Sequence, residues 1–267
     1  MLPASPPTVR QIGAVNWLGF WTLYVREMRR FFKVSTQTIA APVVTTLLFL
    51  VVFLLALGGA GRSIGGIPYV EFLAPGLVMM SVMQNSFANT SSSLIISKVQ
   101  GNIVDILMPP LSGGELTLAY ALGGVTRGLV VAVVVTLAIW CFVPIRIHDW
   151  TAVIFYGIAA SLLLSVLGVL GGIWSEKFDH IAAVTNFIVT PLSFLSGTFY
   201  SVEQMPENWR VAAHLNPFFY MIDGFRYGFI GHADGSLAIG TVVLVGINAA
   251  LLLLCFSLIA RGYKLKA

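Results

Sequence analysis

Six stretches of this chain carry no Asp, Glu, Lys or Arg over 22 to 30 residues each, and this constrains the fold more than any other feature. They cover 34–61, 72–97, 116–145, 150–175, 181–202 and 235–260, and only the third is broken, once, by Arg127. A helix rises about 1.5 Å per residue, so roughly 20 residues cross a hydrocarbon core of about 30 Å. All six stretches are long enough. Barrel strands would instead show segments of about ten residues with alternating polarity, and no such alternation is present. Composition agrees: 57% of the 267 residues are hydrophobic and only 10% charged. A soluble domain of this size needs far more charge to cover its surface.

The reading is an all-α membrane protein with six spans, placed at about 36–58, 72–97, 117–143, 151–175, 180–200 and 237–260 within a transmembrane domain 34–260. An even number of spans puts both termini on one side. With that side cytoplasmic, Arg10, Arg26, Arg29, Arg30, Lys33, Lys98, Lys177, Arg261, Lys264 and Lys266 lie inside, against Arg62, Arg146, Arg210 and Arg226 outside. The bias follows the positive-inside rule. The calculated pI of 9.2 therefore records topology and implies no nucleic-acid partner. The first apolar run is too long for the h-region of a cleavable signal. Residues 1–13 read as a disordered tail and 261–267 as a short cytoplasmic one.

Three connections carry most of the pattern. The segment 14–33 is expected to form an interfacial amphipathic helix. Arg26, Arg29, Arg30 and Lys33 share one face, and Trp17 and Trp21 lie opposite among other aromatic side chains. Such a helix lies flat among lipid headgroups, rings down and cations towards phosphates. The loop 98–115 contains Ile103, Ile106 and Leu107 at helical spacing, with Asp105 on the other side and Pro109-Pro110 as a stop. The apolar face of this short helix needs a cover, supplied by the protein's own spans or by a peripheral subunit. The outer segment 201–234 is too apolar for water and too broken to span. Asn216 is expected as an N-cap with Pro217 at the first helical position, and Asp223 and Arg226, at i and i+3, are placed to pair. Short helices of this kind dip part-way into the membrane as a re-entrant hairpin.

Within the spans the second carries an unusual polar load. Ser81, Gln84, Asn85, Asn89 and Ser92 fall on one helical arc, which lipid would leave without partners. Interhelical hydrogen bonding and the lining of a pathway both fit. Arg127 is flanked by Gly124 and Gly128 in a G-x-x-x-G spacing. It reads as a cation near the cytoplasmic mouth for an anionic substrate group, as a structural arginine, or as an interface residue if the span starts near Gly128.

Chemistry of the enzymatic kind is missing. The sequence has no G-x-x-x-x-G-K-[ST], no H-E-x-x-H and no G-x-S-x-G. Its four histidines form no ligand pair, so no metal site is expected. Ion-coupled carriers usually keep carboxylates or histidines in mid-span and many have internal repeats; neither is seen. An ion-coupled or passive transporter is the alternative to a subunit powered from outside.

Two runs carry a resemblance. PLSFLSGTFYSVEQMPENW (191–209) followed by NPFFYMIDGFRYGFIG (216–231), with ILMPPLSGGEL (106–116), is similar to the membrane subunits of ATP-binding-cassette exporters of the type-2 permease family. The outer pattern is Asn216, Pro217, Tyr220 and Arg226. The resemblance covers nearly the whole chain and implies a permease of the bacterial inner membrane that exports an amphipathic molecule such as a lipid-linked glycan, lipid or drug. It implies two permease copies with two copies of a cytoplasmic ABC ATPase; ATP and Mg would bind in the ATPase and no cofactor in this chain. It further implies that residues 99–108, with Ile103, Asp105, Ile106 and Leu107, form the helix that meets the ATPase. Glu176, Lys177 and Asp179 would lie near the same interface. The pathway would run at the dimer seam, lined by the second and fifth spans.

Overall fold

The computed structural model describes residues 13–57 and 63–265. The tail expected over 1–13 lies, Gly13 excepted, outside the described residues. An amphipathic helix α1 (Trp17–Lys33) leads through a π-helical turn (Thr36–Ala40) into α2 (Ala41–Leu57). A two-stranded hairpin, β1 (Ser63–Ile64) and β2 (Ile67–Pro68), precedes the long α3 (Tyr69–Val99). Then follow a short α4 (Ile103–Leu107), α5 (Gly113–Trp140), α6 (Trp150–Trp174), α7 (Phe178–Val184), a second π-helical turn (Thr185–Val189) and α8 (Thr190–Leu195). The chain closes with α9 (Glu207–Leu215), α10 (Pro217–Ile230) and α11 (Leu237–Ala260).

Among the described residues five helical stretches are long and apolar enough to cross a membrane: Thr36–Ala56, Gly113–Trp140, Trp150–Trp174, Phe178–Leu195 and Leu237–Ala260. Six spans were expected. The helix that falls short is α3, whose 31 residues would reach across with length to spare but whose serines and amides lower its hydropathy. It escapes lipid by its position. α5, α6 and α10 surround it, and Phe72, Leu73, Leu77, Met79, Val82 and Met83 are fully buried. A polar helix is stable at the centre of such a bundle because its neighbours supply the partners that hydrocarbon lacks.

Small residues let α3, α5 and α6 approach. A Cβ at Gly124 would overlap Ser165 Oγ, and one at Gly128 would overlap the hydroxyls of Ser86 and Ser161. The G-x-x-x-G spacing on α5 is thus the seat of two helices at once, where backbone-to-backbone van der Waals contact replaces side-chain filling.

Candidate functional site

The polar arc of α3 is shared out among three neighbours. Ser81 bonds Thr46 of α2 at 2.7 Å, and Asn85 accepts from Arg127 of α5 at 2.9 Å. Gln84 is half-buried. The lower part of the arc belongs to α1. Arg30 donates to the Asn89 side chain at 3.0 Å, to the Asn89 carbonyl at 2.7 Å and to Ser92 at 3.3 Å, while Ser93 donates to Glu27 at 2.8 Å.

Glu27 organises this junction. Its carboxylate has no exposure and is 3.1 Å from Arg30 and 3.7 Å from Arg26, which also reaches Ser97 at 3.5 Å. A buried charge survives only when paired and hydrogen-bonded, and both arginines and a serine meet that need here. Glu27 was not singled out in the sequence: one acid among four cations reads as part of a solvated face. The i, i+3 spacing to Arg30 was the available signal.

The placement of α1 differs from the expected one. It does not present all its cations to headgroups: Arg30 turns onto α3 and Arg26 reaches it while staying partly exposed, Arg29 and Lys33 are exposed, and Trp17 and Trp21 face outwards. Nor does it run clear of the spans. Its start meets the first turn of α5, where the Asn16 amide donates to Glu115. The Phe31 ring, near its end, lies 5.7 Å from the Arg127 guanidinium. Glu27 and Arg30 together fasten this docking: the carboxylate accepts from Ser93 of α3, and Arg30, paired with it on α1, donates to Asn89 and Ser92 of α3. Arg127 is half-buried fourteen residues into α5, so the helix does not begin at Gly128. Its single side-chain acceptor is a neutral amide, and its Nε has no partner among the described residues. The junction therefore holds Arg26, Arg30 and Arg127 against one carboxylate, an excess of positive charge.

The loop helix α4 packs on the bundle. Its apolar face was expected to be left for a partner or covered by the spans, and the latter holds for two residues. Ile103 and Ile106 are 5% exposed and share a buried cluster with Leu23 of α1, Leu94 of α3 and Leu116 of α5. Glu115 makes this possible. It closes a capping box with Ser112 and also accepts from the Asn16 amide, which draws the start of α1 over the loop. Leu107 is half-buried. What stands out is the opposite surface: Val99, Val104, Asp105 and Met108, the last 77% exposed. Arg26 and Asp105 lie on the wall of a cavity of about 420 Å³ between α1 and the loop.

Lys98 joins this loop to the next. Its ammonium donates to the carbonyls of Gly172 and Ser175, each at 3.0 Å, and of Ile173, and so caps the C-terminal end of α6. Residues 98–108 and 175–179 thereby share one end of the bundle. There Lys177 and Asp179 are exposed and Glu176 pairs with Lys264 at 3.5 Å.

At the other end, Asn216 caps α10, accepting from the Phe218 amide at 3.1 Å while donating to Ser196 at 2.8 Å; Pro217 fills the first helical position. Asp223 and Arg226 do not form the expected ion pair. Asp223 accepts from the amides of Asp234 and Gly235, at 2.8 and 2.9 Å, at the turn into α11. Arg226 lies 3.8 Å from the centroid of the Phe72 ring and donates to the Gly197 carbonyl. Both are buried, and each bonds a different element because the turns on either side of α10 offer free backbone groups, although the Arg226 Nε has no hydrogen-bond partner among the described residues. Tyr220 is half-buried beside Gly240 of α11.

The family model described as ABC-2 type transporter matches residues 19–230. The chain belongs to the ABC-2 type transporter family. Among curated relatives of this ABC-2 protein, the inner membrane transport permease YadH of Escherichia coli (strain K12) is 39% identical over 251 residues, which span 94% of this chain and 98% of the relative. Nodulation protein J of Sinorhizobium fredii (strain NBRC 101917 / NGR234) is 27% identical over 252 residues, 90% of this chain and 87% of the relative. The ABC-2 match begins inside α1 and ends at the last residue of α10. It therefore includes the Glu27 junction, the loop helix and the capped α10.

Proposed function

We propose that this chain is the membrane subunit of an ATP-driven exporter in the bacterial inner membrane, and that it carries an amphipathic substrate outwards. The coarse part, a transport permease and not an enzyme, follows from membership of the ABC-2 family and the name of its relative YadH. The finer reading has two copies of the chain side by side, with α3 as a sixth span, both termini cytoplasmic by the positive-inside bias and α10 re-entrant from the outside. Its 14 residues, about 21 Å, are too few to cross.

One observation supports a motor beneath the bundle: Lys98 binds the two connections 98–108 and 175–179 into a single surface on which Val104, Asp105 and Met108 stand exposed. Exposed large apolar side chains beside charged ones mark a protein interaction site. The ATPase would grip this outer surface, with Lys177 and Asp179 at its rim, while Ile103 and Ile106 transmit the contact into the bundle. The excess cation at Arg127 suits a substrate with an anionic head.

The test is co-purification with the cognate ATPase. Met108→Glu and Asp105→Arg are expected to abolish assembly and the stimulation of ATP hydrolysis while thermal unfolding of the permease stays unchanged. Assembly that survives both substitutions would place the motor elsewhere. Transport by vesicles on an ion gradient alone, without nucleotide, would favour a carrier.

A further inference from the structure

At the end of the bundle opposite the loop helix, two cavities adjoin. The first, about 490 Å³, is a groove walled by Leu47, Leu50, Val51 and Leu54 of α2 and by Phe142. The second, about 410 Å³, is lined by Glu71, Arg146 and His148. Pro68, Glu71 and Pro144 belong to both walls. Each volume lies within the roughly 300–1,000 Å³ of small-molecule sites. One is almost wholly apolar, the other carries Glu71, Arg146 and His148 among apolar residues, and Glu71 lies on both walls.

The charges are of opposite sign, and neither Glu71 nor Arg146 belongs to an ion pair among the described residues. A carboxylate in the first turn of α3 suits the helix dipole. The dipole does not explain a cation on the facing wall. The height of the pair is set by its surroundings. Trp140, Phe142 and Trp150, exposed by 61%, 71% and 65%, flank the connection that carries Arg146. Such a belt of large amphipathic rings marks the membrane–water boundary. Phe142 of that belt also walls the groove, which brings both cavities to this boundary.

We propose that the two cavities together hold one zwitterionic aminophospholipid, with an acyl chain in the α2 groove, its phosphate against Arg146 and its ammonium against Glu71. A second copy of the chain would need only the apolar groove, whereas a zwitterion uses the groove and both charges. An anionic lipid would satisfy Arg146 and be repelled by Glu71. The assignment depends on neither the motor nor the direction of transport, so it stands or falls apart from the proposed function.

The delipidated full-length protein, offered phosphatidylethanolamine and phosphatidylglycerol of equal chain length, is followed by native mass spectrometry. Retention of the ethanolamine lipid is expected to exceed that of the glycerol lipid about threefold to fivefold, the scale of one partly exposed ion pair. Glu71→Gln should abolish that preference and Arg146→Gln should lower retention of both lipids. Val51→Trp, which fills the groove from its exposed wall, should lower both without moving thermal unfolding. Equal retention of the two lipids by the parent protein would overturn the proposal, as would a preference unchanged by Glu71→Gln. Competition by soluble phosphoethanolamine as strong as that of the lipid would exclude the groove. Dissociation of a dimer by Val51→Trp with lipid retention intact would assign the groove to a second copy.

Discussion

Ser93 of α3 donates a hydrogen bond of 2.8 Å to Glu27 of α1, and neither side chain is open to solvent. A helix that composition alone would leave at the membrane surface is thereby fastened to the central helix of the bundle. The same helix supplies Leu23 to the cluster beneath the loop helix and Phe31 to the neighbourhood of Arg127. It thus touches both the cluster beneath the loop helix and the polar interior.

Removing one partner from a buried, hydrogen-bonded charge pair costs about 3–5 kcal/mol because the other charge remains. Glu27→Leu should therefore lower the stability of the purified protein by about that amount, as Arg30 and Ser93 lose their shared acceptor. Ser93→Ala should cost only about 1 kcal/mol. Chemical unfolding in detergent micelles measures both. An unchanged midpoint for Glu27→Leu would mean that α1 is not fastened here.

Gly128 has no room for a side chain against Ser86 and Ser161. Gly128→Val is expected to force α5 away from α3 and α6 and to destabilise by about 1–3 kcal/mol or more, the usual cost of overpacking. The paired substitution Gly128→Ala with Ser86→Gly should recover part of the loss suffered by Gly128→Ala alone. A double-mutant cycle checks this; strict additivity would contradict the contact.

Lys98→Met keeps the aliphatic stem but loses three carbonyl partners at the end of α6. Hydrogen bonds to a charged group contribute about 1.5–3 kcal/mol. Faster amide exchange is expected over 172–179, with little change at α10. ATP hydrolysis by the assembled complex should also become uncoupled from transport, since the two halves of the loop surface are no longer tied.

Arg226→Lys preserves charge but not the flat guanidinium over the Phe72 ring. It should behave nearly as badly as Arg226→Met in thermal unfolding. Full rescue by lysine would show that charge, not stacking and the Gly197 carbonyl bond, fixes α10.

Arg127→Leu should reduce export of an anionic amphiphile about tenfold or more while sparing a neutral one, because the nearest acceptor, Asn85, is uncharged and leaves the cation free for substrate. Equal loss for both substrates, with loss of folded protein, would make the residue structural.

Most of the span pattern was legible because charge is excluded from hydrocarbon whatever the tertiary fold, so the charge-free runs of α2, α6 and α11, and that of α5 broken only by Arg127, announce themselves. The caps at Asn216 and Pro217 were legible because capping is local chemistry. The G-x-x-x-G of α5 announced a close approach without naming the two helices that make it. α3 was found by its lack of charge, although its polarity argues against lipid, and its central position resolves the conflict.

What the sequence by itself determined is therefore the helical, apolar character of the chain, the charge asymmetry and the absence of a nucleotide motif, all of which depend on neighbours in the chain or on the solvent. Which faces meet was decided by the tertiary structure. Ile103 and Ile106 turn inward because α1 is drawn over them by Glu115, a contact between residues 99 positions apart. Asp223 and Arg226 turn away from each other because unsatisfied backbone groups of two separate turns lie closer to hand. Glu27 is buried because α3 covers it and Ser93 of that helix bonds it, and helical periodicity within one segment holds no information about what will stand opposite it.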